Sequence, residues 1–263
     1  MAGITDGTFA LKLIPYGFDT VTIGGYNIDD PTIAAGEKIL KRGRNEFSIP
    51  QEDIFNSIEK EVKLIKNKSP SDSNIKISTN LRAISPDPII EISKIKDLDI
   101  IEINCHCRQE ELLNINCGQN MLKDSEFLEA FISEITKKSK SEVSVKIRAN
   151  VEGVDTLKIA KIIKNSKANY IHVDAMKPGF NHCDLDIIKK IANIINQNDK
   201  GQKVQKRQKH QKNSLKIIGN NSINSIKRAE EMLNAGASGI SIGRAAINGK
   251  LNFNLKSLNI IKN

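Results

Sequence analysis

Ile101-Glu-Ile-Asn-Cys-His-Cys-Arg108 is the stretch on which the fold turns. Apolar and polar residues alternate up to Asn104, and two cysteines separated by one residue follow at once. A short strand whose last residues are reactive is how parallel α/β proteins present chemistry at one rim of a sheet or barrel. Three further runs end in the same manner. Val143-Ser-Val-Lys-Ile-Arg148 closes on paired cations, Leu215-Lys-Ile-Ile-Gly-Asn220 on Gly-Asn, and Ser238-Gly-Ile-Ser-Ile-Gly-Arg244 on Gly-Arg. A thiol, a lysine, an asparagine and a glycine with a cation are expected at one mouth.

The pattern predicts strands at 20–24, 75–79, 100–104, 143–147, 169–174, 215–219 and 239–242. Stripes at helical spacing lie between them. Ile54, Ile58, Val62 and Ile65 form one, Phe127, Leu128, Phe131 and Ile135 another, and Leu185, Ile187, Ile188, Ile191, Ile194 and Ile195 a third. Asp30-Pro31 and Asp124-Ser-Glu126 read as helix starts, and Asn234-Ala-Gly236 as a helix exit. Strictly alternating strands and helices in 263 residues fit a (β/α)8 TIM barrel, whose usual length is about 250 residues. We expect a single domain spanning 1–263. Its eighth strand would have to precede residue 3, and Met1-Ala-Gly-Ile-Thr-Asp6 reads like the loop after it. The first strand is therefore expected to be truncated at the N-terminus.

Aromatic residues make up 4% of the chain and Trp is absent, so the core must be aliphatic. No uncharged apolar run approaches the ~18 residues of a membrane span, and no basic segment leads into an apolar one at the start. Cysteines at 105, 107, 117 and 183 do not form a disulfide framework in a chain this long and read as cytoplasmic thiols. The net charge is +9, but residues 200–216 hold seven Lys or Arg and no acid, leaving +2 for the rest. The segment at about 198–214 reads as a low-complexity surface insertion that cannot bury enough to order itself. Its alternative reading is an RNA-attracting arm.

Glycines closing the last two strands are where barrels bind phosphate, because a glycine lets the backbone approach an oxygen. Gly219, Asn220, Gly243 and Arg244 are candidates on that ground. Lys146 and Arg148 share a strand face by period two. A lysine at a strand end is costly to bury without an anion or a polarised ring beside it. Cys105 and Cys107 also point alike in a strand, but a loop begins here, so either thiol could face the mouth. A competing reading takes Cys105, His106, Cys107 and Cys117, with His182 and Cys183, as soft metal ligands, although Cys-x-Cys lacks the usual two-residue gap. We assign no metal.

Taken in order, these segments resemble the tRNA-dihydrouridine synthase family of FMN barrels, in an archaeal-type form. Met1–Asp6 looks like the family's opening motif. Ile101–Cys107 with Cys117-Gly-Gln-Asn-Met-Leu-Lys-Asp124 is similar to the segment around its catalytic cysteine, and Val145-Lys-Ile-Arg148 to its flavin-contacting strand. Ile218-Gly-Asn-Asn221 and Ser241-Ile-Gly-Arg-Ala-Ala246 resemble its phosphate-side motifs, and Asn80-Leu-Arg-Ala-Ile-Ser-Pro86 a further one, with Asn80 where Gln is usual.

The resemblance implies roles. Cys107 would be general acid to C5 of uracil, with reduced FMN supplying hydride to C6 and NADPH or NADH as reductant. Asn80 and Lys146 would hold the flavin pyrimidine edge, and Asn220, Gly243 and Arg244 its ribityl chain and phosphate. Asn104 would set the strand end and touch the pyrimidine, with Arg108 and Arg148 as substrate contacts and tRNA as partner. The departures are specific. His106 and Arg108 replace the Gly and Pro flanking the family's cysteine. Asp174 stands where the family's flavin-binding His falls, with His172 on the same face but deeper. Asn221 replaces a glycine. The family's C-terminal helical domain would have no room in the residues after Arg244, so the flavin barrel is implied more strongly than the tRNA. Two alternatives stay open: a dihydroorotate-dehydrogenase-like oxidoreductase acting on a pyrimidine small molecule, or a barrel that binds phosphate or RNA without turnover.

Overall fold

A computed structural model describes residues 4–70, 74–197 and 214–257. The basic segment expected at 198–214 and the opening Met1-Ala-Gly fall almost wholly outside them. Seven strands form one all-parallel sheet whose spatial order follows the sequence. They are β1 (Thr20–Asn27), β2 (Lys76–Arg82), β3 (Ile100–Cys105), β4 (Glu142–Arg148), β5 (Tyr170–Asp174), β6 (Lys216–Asn220) and β7 (Gly239–Ser241). Every expected strand is present. The expected eighth is not among the described residues, and β1 and β7 are the two edges of the sheet. Thr5 makes an antiparallel bridge to Gly24 on the β1 edge.

The helices cover the outer face: α1 (Gly7–Leu13), α2 (Asp30–Lys41), α3 (Ile54–Lys68), α4 (Pro86–Ile92), α5 (Glu110–Leu113), α6 (Ser125–Lys138), α7 (Thr156–Asn165), α8 (Leu185–Asn196), α9 (Ile226–Asn234) and α10 (Arg244–Ile247). Six of these ten helices start on a side-chain cap. Asp6, Asp29, Asp124, Asp155 and Asp184 each accept from backbone N–H groups of the first turn, as does Ser225. Each such cap contributes about 1 kcal/mol. The cap of α2 is Asp29 rather than Asp30, because Asp29 forms a capping box with Thr32.

The stripes turn toward the sheet. Ile54, Ile58, Val62 and Ile65 of α3 are all buried, as are Leu128, Phe131, Ile132 and Ile135 of α6. Phe127 lies off its stripe and stays partly exposed, its ring tilted against Phe131. Between sheet and helices the core is aliphatic, as expected from the scarcity of aromatics. Inside the sheet's curve it is not. Ser78, Glu102, Ser144, Lys146 and His172 face inward and line an internal cavity. Barrel interiors are usually filled by branched aliphatic side chains, so this interior is built to hold polar groups.

Candidate active site

Strand register stacks the inward side chains in tiers. Glu102 pairs with Ser144, Asn104 with Lys146 and Lys146 with His172; nearer the rim Arg148 pairs with Asp174 and Asp174 with Asn220. The cavity inside them has a volume of about 1330 Å³ and runs up to the rim. Of the expected site residues, Cys107, Arg108, Lys146, Arg148, Asp174, Asn220, Gly243 and Arg244 all line it.

Asn80 and Asn104 do not reach that wall. The expected strand ended at residue 79, but β2 continues to Arg82, which leaves Asn80 mid-strand and fully buried. Asn80 Nδ2 donates to Glu102 Oε1 at 2.8 Å, and Asn104 Nδ2 donates to Asn80 Oδ1 at 2.8 Å. Asn104 Oδ1 then accepts the backbone N–H groups of His106 (3.1 Å) and Cys107 (2.9 Å). A buried carboxylate thus orients two amides in series, and the second shapes the cysteine loop.

The two thiols separate cleanly. Cys105 ends β3 facing the helices, wholly buried, with its Sγ 4.0 Å from Met121 Sδ. Cys107, two residues on, lies on the cavity wall with its side chain packed near Ala35, Ile39, Leu112 and Cys117. Burial pushes the thiols of Cys105 and Cys117 up, Cys117 to about 12, so both stay protonated. Gly118 sits at φ +66 beneath this loop, and a Cβ there would meet Cys107 O at 2.3 Å. Among the described residues no group of three or more His, Cys, Asp or Glu is placed to hold a metal ion.

The deeper tier centres on Glu102. His172 Nδ1 lies 2.6 Å from its Oε2, Ser144 Oγ donates at 3.3 Å, and Lys146 Nζ stands 4.0 Å from Oε1. Burial alone would raise this carboxyl; His172, Lys146 and the bond from Asn80 hold it below the usual carboxylate range. Burial, then Lys146, lowers His172, which is therefore a neutral ring donating from Nδ1. Its Nε2 has no partner among the described residues. Sequence reading did not single out Glu102, though its period-two relation to Asn104 on an otherwise aliphatic strand is the signal that marks it.

The rim tier centres on Asp174. His106 Nε2 lies 2.5 Å from Asp174 Oδ2, Arg148 Nη2 stands 3.3 Å from the same oxygen, and Asn221 Nδ2 donates to Oδ1 at 2.5 Å. Burial opposes ionisation here too, but His106, Asn221 and Arg148 hold the carboxyl below its ordinary range. Burial lowers His106 to about 3. Three of the residues flagged by sequence as departures, His106, Asp174 and Asn221, are thus one hydrogen-bonded unit.

Asn220 Nδ2 donates to Ser241 Oγ at 3.3 Å, and exposed Arg244 opens α10 beside it. Gly219 has a different reason to be glycine than the one expected. A Cβ there would meet Met232 Cγ and Sδ of α9 at 2.4 Å, so its bare face serves helix packing. At the cavity's outer lip, Phe180 is 57% exposed on the loop after β5, with Lys177 Nζ 4.8 Å from its ring centre.

A flavin can be tested against these groups. Its pyrimidine edge calls for buried polar atoms with spare bonding capacity midway along the strands. Among the described residues His172 Nε2 has no partner, and the carboxylate paired with Lys146, Glu102, stands 4.0 Å away. Asn220 and Arg244 offer a donor and a cation where a phosphate tail would lie. The residues present fit the group.

The dihydrouridine synthase (Dus) family profile matches residues 69–254. An uncharacterized protein of Methanocaldococcus jannaschii is 35% identical over 268 residues, which cover 98% of this chain and 91% of that protein. A probable tRNA-dihydrouridine synthase of Helicobacter pylori is 25% identical over 210 residues, 76% of this chain and 57% of that one. Among solved structures, DHODH from Eimeria tenella in complex with ferulenol gives a TM-score of 0.63 at 12% identity, covering 95% of this chain and 77% of its own. A 2,3-dimethylmalate lyase of the PEP mutase/isocitrate lyase superfamily gives 0.56 at 13%, covering 94% and 75%. At such identities the two structures speak to the fold alone.

Proposed function

The chain belongs to the dihydrouridine synthase family, and from that premise we propose that it is an FMN-dependent oxidoreductase that saturates the C5–C6 bond of uridine in tRNA with a nicotinamide donor. One observation carries the reading. Cys107, Lys146, Arg148, Asn220 and Arg244 come from four different strand ends, yet all line one cavity.

When bound, FMN contributes hydride chemistry. The chain's own residues do the rest. Lys146 would place a cation at the flavin's pyrimidine edge, with His172 Nε2 as a second polar contact there. Asn220, Gly243 and Arg244 would hold the ribityl chain and phosphate. The Cys107 thiol delivers a proton to C5 of the uracil. Asn104 keeps that thiol in place by holding two backbone N–H groups of its loop. Asn80 acts behind it through Asn104. Arg108, Arg148, Lys177 and Arg244 make the mouth cationic, which suits a phosphate backbone. No described helix is long and apolar enough to cross a membrane.

The test is a visible spectrum of the purified protein followed by dihydrouridine content of tRNA from deletion and parent cells. A yellow protein and a lost dihydrouridine are expected. A colourless protein that takes up no FMN ends the flavin reading. A flavoprotein whose deletion leaves dihydrouridine unchanged but which reduces a free pyrimidine would move the substrate from RNA to a small molecule.

A further inference from the structure

His106 stands where the resemblance places glycine. It is 8% exposed, it lines the cavity, and it neighbours Cys107. Its Nε2 faces Asp174 Oδ2 at 2.5 Å. A carboxylate accepts only, and at 2.5 Å it outweighs the longer 3.1 Å approach of Arg148 Nη2 to the same nitrogen, so the proton is on Nε2 and the neutral ring carries its lone pair on Nδ1. That nitrogen has no partner among the described residues. Arg148 Nη2 pairs with the same carboxylate oxygen at 3.3 Å and lies 3.1 Å from His106 Nε2, while its Nε–H has no partner among the described residues. An acceptor and a donor, both tied to Asp174, thus stand unfilled beside the thiol. Leaving either buried without a partner costs about 1–3 kcal/mol. The fold alone gains nothing from Nδ1, since Nε2 already makes the bond to Asp174.

Resting on the uracil reading above, we propose that His106 reads the imide edge of the base: Nδ1 accepts the uracil N3–H while Arg148 donates to an adjoining carbonyl. Uracil is a donor at N3 with carbonyl acceptors on both sides. Cytosine reverses two of these, presenting a lone pair at N3 and an amine at C4. It would set lone pair against lone pair at His106. Asp174 is the positioning residue, because it fixes which ring nitrogen carries the proton. The depressed basicity of His106 keeps the ring an acceptor throughout the neutral range. Nothing in this assignment moves a proton; it decides which base is admitted.

The experiment uses full-length protein loaded with FMN and a ligated tRNA carrying N3-methyluridine at the single position that the wild-type protein reduces. The wild type should prefer uridine over N3-methyluridine by roughly 100-fold or more. In His106→Gly the preference should shrink to roughly 10-fold or less, with FMN uptake retained. His106→Gln, which keeps an oxygen acceptor, should recover most of the discrimination. A glycine variant that discriminates as sharply as wild type overturns the proposal. If wild type reduces no tRNA uridine, the function reading falls first. The imide reading then falls as well if UMP and N3-methyl-UMP quench flavin fluorescence equally or not at all.

Discussion

His106 Nε2 and Asp174 Oδ2 meet at 2.5 Å, joining the loop after β3 to the end of β5 across the rim. The resemblance expects other residues at both positions, and the contact joins the two. Where the resemblance places an imidazole on β5, this chain has a carboxylate that receives an imidazole from the loop after β3, on the far side of β4. The exchange also gives Arg148 an anion.

The first prediction follows from that reciprocity. Asp174→Ala removes the acceptor for His106, Arg148 and Asn221 at once, and a buried cation without its anion typically costs about 3–5 kcal/mol. Urea unfolding should show a loss of that order. The double variant His106→Gly with Asp174→His rebuilds the family arrangement and should bind FMN within roughly 10-fold of wild type, a difference of about 1.4 kcal/mol. A double variant no better than Asp174→Ala would mean the two residues are not a unit.

The thiols give the second. Cys107→Ala should retain FMN and lose pyrimidine reduction, by about 10²–10⁴-fold for a lost general acid. Cys105→Ala should do the reverse. It trims a wholly buried side chain from the layer between sheet and helices, so stability drops by about 1 kcal/mol while turnover holds. Equal turnover losses in the two variants would dissociate the acid role from the cavity wall.

These contrasts show what the sequence made legible. Strand number and order were readable because each strand is a short apolar run bounded by turn residues. The rim residues followed from strand ends, which the chain marks with Lys146, Arg148, Asn220 and Gly243. Asn80 was misplaced because Thr79-Asn-Leu-Arg82 looks like a strand exit, whereas the alternation continues and buries Asn80 and Arg82. The choice between Cys105 and Cys107 could not be made by periodicity, since β3 stops between them. The contact between His106 and Asp174 joins residues 68 apart in sequence, and no local pattern encodes it.

The third prediction concerns acid. His106 is lowered to about 3 in the folded chain, against about 6.5 when exposed. The unfolded chain therefore takes up this proton first as pH falls, and folded stability declines from about pH 6.5 toward 3. His172, lowered by burial and by Lys146, adds in the same direction. Asp174 and Glu102 are held below the ordinary range, so their contributions are present above about pH 4 and are lost below it. Melting temperature measured by circular dichroism should fall gently from pH 7 to 5 and steeply below 4. His106→Gly should flatten the gentle part; an unchanged slope would mean His106 does not contribute to it.

Gly219 supplies the last prediction, and it separates packing from ligand binding. The motif around it suggested a bare backbone offered to a phosphate. The structure instead turns that face outward, onto wholly buried Met232 of α9. Gly219→Ala should therefore overpack the sheet–helix layer and cost about 1–3 kcal/mol, with FMN affinity unchanged within twofold at temperatures where the variant is folded. Adding Met232→Ala should open room for the new methyl, so the pair is less destabilised than the two single changes added together. Arg244→Ala, on the cavity side of the next strand end, should give the opposite outcome, with melting temperature held and FMN affinity down by roughly 10-fold or more. If Gly219→Ala weakens FMN as much as Arg244→Ala does while leaving stability intact, the phosphate lies against β6 and the packing argument is wrong.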